Sequence, residues 1–250
     1  MGFISDSKYG VIIQARTGSS RLPGKVLMDV EGQPMLLRQL RRLQHGLKVP
    51  KLVVATTEDP SDKPVEELCR DNGFECFRGP RDDVMNRFIL SAQGYDISYI
   101  IRVGGDDPLI DWECCNTLID IHREKLYDFM YASNRDGWPY GCAAELIDRG
   151  VLEQIHTATT NSSYLEHTIP YFLDHPEEFQ ILKVKGPKEL NRPDYYFTVD
   201  YPEDIKLIRE IFKRLKDEGD YFPLRRAIEL IDENPEIINI NRHLHRGFER

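Results

Sequence analysis

Between residues 9 and 132 the chain alternates short apolar runs with stretches whose apolar residues recur every three or four positions. Tyr9 to Gln14 is a run of strand length. After a glycine-containing loop, Pro34 opens a segment with Leu36, Leu37, Leu40 and Leu43 on one helical face, and the pattern stops near Gly46. Lys51 to Thr56 predicts a second, buried strand. Ser61 is the expected cap of a helix carrying Val65, Leu68 and Cys69; Asn72-Gly73 ends it, and Phe74 to Phe77 predicts the next strand. The scheme then repeats. Asp82 or Asp83 caps a helix with Val84, Phe88, Ile89 and Ala92, Gly94 closes it, and Tyr99 to Val103 returns as a strand. A helix over about Asp111 to Lys125 leads to a strand at Tyr127 to Ala132.

Continuously apolar strands separated by helices of ten or more residues predict an α/β fold with a doubly wound, mostly parallel sheet, because each crossover lays a helix on one face. Past Ser133 the regularity loosens. The turn-rich stretch Arg135 to Gly150 precedes expected helices at Ser162 to Leu173 and Pro202 to Lys216, set around expected strands at Phe179 to Val184 and Tyr195 to Val199. No Pro/Gly/Ser-rich linker divides the chain, so the expectation is one domain over residues 1–250, with about 133–175 an irregular insertion serving acceptor binding or oligomerisation.

Composition narrows the function more than the fold. In 250 residues, 33 Lys plus Arg stand against 42 Asp plus Glu, a formal charge of −9 that disfavours a broad nucleic-acid surface or an anionic membrane as partner. The five cysteines are odd in number and none forms a C-x-x-C pair, which predicts buried free thiols and no zinc knuckle. Met1-Gly2 opens like a myristoylation signal, but Asp6 stands where that signal needs Ser or Thr. No stretch is long and apolar enough to span a bilayer and no secretory leader is evident, so the expected location is the cytoplasm.

Against this acidic background the loop Gln14 to Lys25 (QARTGSSRLPGK) stands out, with Arg16, Arg21 and Lys25 among glycines and hydroxyl residues just past the first strand. Three cations and closely approaching backbone N–H groups suit a polyphosphate. Five residues separate Gly18 from Gly24 and Val26 follows Lys25, so the loop is neither a Walker A sequence nor G-x-G-x-x-G. Asp106 and Asp107 follow a strand in GGDDPLID, and Asp200 follows another in TVDYPED, nearly a hundred residues later. Each aspartate alone reads equally well as a helix cap. Together at two strand ends they could converge on one hard cation, since Mg²⁺ takes one or two carboxylates plus phosphate oxygens.

These segments resemble the cytidylyltransferases that activate acidic sugars as CMP-sugars, most closely the spore-coat-polysaccharide type related to the CMP-3-deoxy-manno-octulosonate and acylneuraminate synthetases. VIIQARTGSSRLPGKVL is similar to the family's signature loop almost in full. GGDDPLID resembles its central acidic motif, TVDYPEDIKLI its late Asp-x-Pro-x-Asp motif, and YLEHTIPYF a further segment, with Leu165 where Arg is usual. The resemblance runs from about Gly10 to Ile211 and leaves the C-terminal tail unassigned.

The resemblance implies a modified, Rossmann-like nucleotidyltransferase fold and a Mg²⁺-dependent transfer of CMP from CTP to a small acidic sugar, with a homodimer as the expected assembly. It implies catalytic roles for Lys25, Arg16, Asp106 and Asp200, the two aspartates also holding Mg²⁺, and a nucleotide site made of Gln14, Ala15, Arg16, Gly18, Ser19, Arg21 and Lys25. Asp83 and Arg87 fit a branch motif, Asp-Val-x-x-Arg, and are assigned to the nucleotide, with an N-cap and an exposed arginine as the competing reading. Arg135, Glu145, Glu166 and His167 are the expected acceptor contacts; Trp138 and Tyr140 could line the acceptor pocket. His243 and His245 read as a solvated pair near the C-terminus. Two rivals stay open: a phosphate- or phosphonate-bearing acceptor, and a non-catalytic nucleotide-binding or assembly protein.

Overall fold

The computed structural model describes residues 5–219 and 221–245, so Met1-Gly2 and its lipidation reading lie outside them. The first strand, β1 (Tyr9–Gln14), feeds the loop Gln14 to Lys25 and a two-stranded hairpin, β2 (Asp29–Val30) with β3 (Gln33–Pro34), before helix α1 (Met35–Gly46). Regular units follow: β4 (Lys51–Thr57), α2 (Lys63–Asp71), β5 (Glu75–Gly79), α3 (Val84–Gly94), β6 (Tyr99–Gly104), α4 (Trp112–Glu124) and β7 (Phe129–Ala132). The second half adds β8 (Glu145–Asp148), α5 (Arg149–Ala158), α6 (Ser162–Glu166), α7 (Thr168–Asp174), β9 (Ile181–Val184), α8 (Pro202–Arg214) and α9 (Leu224–Glu233).

Seven strands form one sheet in the order β5-β4-β1-β6-β8-β7-β9, and only β8 runs against its neighbours. Alternation along the strands splits the core between the two faces of this sheet. Val11, Ile13, Ile101 and Val103 pack with Leu36 and Leu40 of α1 and Leu118 of α4, while Ile12, Ile100, Val53 and Ala55 pack with Phe88 of α3 and Leu152 of α5. Strand order reverses at β1, which has β4 on one side and β6 on the other, and a crevice opens beyond the carboxyl ends of strands at such a switch point.

Several local expectations are corrected. The helix expected over Ser162 to Leu173 is two helices, broken at His167, whose φ of −121° and ψ of 93° are extended. An unbroken helix would have to accommodate Pro170 in its interior; the break instead puts Pro170 in the first turn of α7, where a missing N–H costs little. Tyr195 to Val199 is no sheet strand. Beyond one bridge, Tyr196 to Tyr140, its N–H groups go to loop carbonyls, from Phe197 to Tyr140 at 2.9 Å and from Val199 to Asp106 at 2.8 Å. Asp59, rather than Ser61, supplies the side-chain cap ahead of α2, accepting from the Ser61 N–H. The cysteines are free, four of them buried and Cys76 partly so.

Candidate active site

The loop after β1 owes its shape to anchors at both ends. At its start, Asp62 accepts from the Thr17 N–H at 2.6 Å and the Thr17 hydroxyl at 2.7 Å; at its end, the Gly24 N–H donates to the Thr17 carbonyl at 2.8 Å. Gly24 has a φ of +71°, the left-handed region that only glycine enters freely, and this reversal turns Lys25 inward at the start of a 3₁₀ turn. The neighbouring loop after β6 approaches through Gly105, whose N–H donates to the Gln14 carbonyl at 2.8 Å. A Cβ there would lie 2.8 Å from both that oxygen and the Ala15 Cβ, so the strand ends can meet only over glycine. Gln39 of α1 braces the same turn with bonds of 2.6 Å and 3.0 Å to the carbonyls of Gly104 and Asp107.

On this frame Lys25 joins the two distant aspartates. Its ammonium lies 2.6 Å from Asp106 Oδ2 and 3.0 Å from Asp200 Oδ1, and the Arg21 guanidinium lies 2.8 Å from the same Asp200 oxygen. The other Asp200 oxygen accepts from the Tyr196 hydroxyl at 2.8 Å. Burial opposes the charge of Lys25, but Asp106 and Asp200 outweigh it and raise its pKa above the ordinary lysine value. Burial likewise opposes ionisation of Asp200, and Lys25, Tyr196 and Arg21 outweigh it, holding this carboxyl below the usual range. Asp107 behaves in the opposite way: burial and the adjacent Asp106 push it well up, against a 2.6 Å bond from the Thr198 hydroxyl.

These groups line a cavity of about 580 Å³. Its lining holds Gln14, Arg16, Ser19, Arg21 and Lys25 of the loop after β1, and Glu145, His167, Tyr140 and Asn134 from the second half of the chain. A residue that sequence reasoning missed, Arg102, lines the cavity as well. It faces Glu145 directly in the β6–β8 register and donates to it at 3.2 Å, while its Nε has no partner. Burial raises the Glu145 pKa and Arg102 opposes that rise. A guanidinium in the middle of the apolar run YIIRV was the available signal, because a charge on a buried strand needs a reason to be there.

The cavity gathers most of the expected site residues but not all. Ala15 is buried under the loop, Gly18 lies outside the lining, and Glu166 touches the site only through Arg16, at 3.7 Å. Asp83 and Arg87 do not line it. Asp83 caps α3 through the Asn86 N–H at 2.9 Å and pairs with His156 of α5 at 2.8 Å, and the wholly buried Arg87 donates to the carbonyls of Pro80 and Arg81. Arg135 is exposed and Trp138 is core, neither in the lining. His245 is no solvated side chain: it is 6% exposed and bonded to Asp204 at 2.7 Å.

The donor set of Asp106 and Asp200, carboxylate oxygens brought to one ammonium at two loop ends, suits a hard divalent cation. No described helix is long and apolar enough to cross a membrane.

Comparison with known proteins finds clear relatives of the chain. The spore coat polysaccharide biosynthesis protein SpsF of Bacillus subtilis is 30% identical over 230 residues, 90% of this chain and 94% of its own. The 3-deoxy-manno-octulosonate cytidylyltransferase of Trichlorobacter lovleyi is 33% identical over 44% of this chain and 42% of its own. Among solved structures, a cytidylyltransferase from Leptospira borgpetersenii superposes with a TM-score of 0.87 at 30% identity, covering 92% of this chain and 96% of that one. The cytidylyltransferase family model matches residues 10–228, which hold the basic loop, both acidic turns and the Arg102–Glu145 pair, and the chain belongs to that family of nucleotidyltransferases.

Proposed function

We propose that the chain transfers CMP from CTP to a small acidic sugar, releasing pyrophosphate, in the synthesis of a surface polysaccharide or glycan. One observation carries the reading: Lys25 of the basic loop meets Asp106 and Asp200 in a cavity with a largely polar lining. Nucleotidyl transfer needs positioning and charge neutralisation more than a nucleophilic side chain. Lys25 and Arg21 attract the phosphates, and the loop N–H groups approach them. Asp106 and Asp200 would hold Mg²⁺, which supplies neutralisation of the phosphate charge. An acceptor hydroxyl oxygen held on the Glu145 and His167 side forms the new bond to the α-phosphorus as the bond to pyrophosphate breaks, and the hydroxyl proton leaves to solvent.

A carboxylate-bearing acceptor is preferred on charge. Arg16, Arg21 and Lys25 belong to the loop assigned here to CTP, and Arg102, the one further Lys or Arg in the lining, is already paired with Glu145, so the acceptor side offers no cluster of cations for a dianionic phosphate. A single carboxylate can instead meet the Arg102 guanidinium, which lines the cavity. Incubation with Mg²⁺, CTP and a panel of acidic sugars, with pyrophosphate release and product mass as readouts, tests the proposal. Release only with an acidic sugar supports it; release only with a phosphate- or phosphonate-bearing acceptor, or no release with any, overturns it.

A further inference from the structure

The C-terminal segment reaches the site through Asp204 in the first turn of α8. This carboxylate is 1% exposed and accepts four hydrogen bonds. Its Oδ2 takes the N–H groups of Asp200 at 2.9 Å and Tyr201 at 2.8 Å, which fixes the turn that carries Asp200. Its Oδ1 takes the Asn241 amide at 2.8 Å and His245 Nε2 at 2.7 Å. Asn241, wholly buried, spends its second N–H on the Tyr196 carbonyl at 2.9 Å. The His245 ring stacks on Tyr196 with centroids 3.5 Å apart, and the other partner in the stack, Tyr140 at 4.4 Å, lines the cavity. Tyr196 in turn donates its hydroxyl to Asp200.

We infer that Asn241 and His245 are positioning residues for nucleotidyl transfer: they clamp the Asp204 carboxylate and the Tyr196 ring, and so hold Asp200 against Lys25 and Arg21. The inference rests on Asp200 belonging to the transfer site. Neither Asn241 nor His245 lines the cavity, so neither is a catalytic residue. The clamp acts on both ends of the Asp200 geometry, its backbone through Asp204 and its carboxylate through Tyr196. Hydrogen bonds to a charged acceptor are the stronger kind, and a carboxylate fully satisfied in the interior has little freedom to turn.

The test uses the full chain with His245→Ala, Asn241→Ala and His245→Gln, the last keeping a side-chain N–H donor. Expected for both alanine variants are faster amide exchange at Asp200 and Tyr201, with β1 and β4 unchanged. Turnover should fall about tenfold, a shift of one pKa-sized step in the barrier, while the KM for CTP stays within about twofold. His245→Gln should recover most of the turnover. Unchanged turnover in the alanine variants, or a loss that merely follows the fraction of folded protein and is not recovered by glutamine, overturns the inference. If the wild-type chain releases no pyrophosphate with any acceptor, the functional reading fails separately; unchanged exchange at Asp200 in His245→Ala then overturns the clamp, and faster exchange there supports it.

Discussion

Lys25 is the residue on which charge, burial and ligand attraction meet, and its replacement separates them. Under the proposed function its contact with a phosphate would be a charge-assisted bond worth about 1.5–3 kcal/mol, so Lys25→Ala should weaken CTP binding roughly ten- to a hundredfold by titration calorimetry. The fold should feel the change too, because Asp106 and Asp200 would then face each other without the intervening ammonium. The raised Lys25 pKa contributes stability that is complete below the ordinary lysine value of about 10.4 and is lost as pH rises through the folded value. The lowered Asp200 pKa contributes stability that is complete above about 3.9 and is lost as pH falls through the folded value. Both are present from about pH 4 to pH 10, and there the wild type should exceed Lys25→Ala by about 1–3 kcal/mol in urea unfolding. That figure is below the full cost of breaking a buried pair because Asp106 is 32% exposed. Below about pH 4 the gap should narrow as the carboxylates protonate; a gap that widens in acid would mean that Lys25 is not held by these aspartates.

Among the elements, α3 shows a motif whose cap reading the structure supports and whose nucleotide role a binding measurement must decide. Asp83 was legible as a helix cap, and the structure keeps that role while turning its second oxygen to His156 of α5, away from the cavity. Asp83→Ala should therefore cost about 1 kcal/mol of stability in chemical unfolding, the usual loss for a cap, and leave CTP affinity within error. A drop in CTP affinity beyond about threefold would restore the nucleotide-facing role. Between β1 and β7, the elements other than the two-residue strands β2 and β3 were readable, most of them because they bury an apolar run or a helical stripe. Strand β8 was not, since Glu145–Asp148 is four residues long, charged at both ends and placed between turn-rich segments. Helix α5 is missed with it, and Tyr195 to Val199 misleads because its apolar residues join the core without its backbone joining the sheet. Lys25, Asp106 and Asp200 could be found in the sequence as charged residues just beyond strands. His245 and Asn241 could not, because only the fold brings residues some 40 positions away onto Asp204.

At the scale of the molecule, the antiparallel insertion of β8 into an otherwise parallel sheet is what closes the cavity. It places Glu145 opposite Arg102, so the lining draws one member of this charged pair from each half of the chain. Under the proposed function, acceptor contacts would therefore come from both halves of the chain, across the β6–β8 seam. Arg102→Gln and Glu145→Gln each keep much of the shape and break the pair, and Arg102→Gln also removes the guanidinium offered to an acceptor carboxylate. Removing a charged hydrogen-bond partner of a bound ligand costs about 1.5–3 kcal/mol, so Arg102→Gln should raise the acceptor KM roughly ten- to a hundredfold while CTP affinity changes less than about threefold. Glu145→Gln frees the guanidinium from its partner, and with a carboxylate acceptor the KM should rise less or fall. The double variant should then resemble Arg102→Gln alone, a non-additivity expected of residues in direct contact. Steady-state kinetics on the four proteins decide it: an Arg102→Gln variant that keeps its acceptor KM and loses CTP binding would move Arg102 to the nucleotide and leave the acceptor carboxylate without its cation.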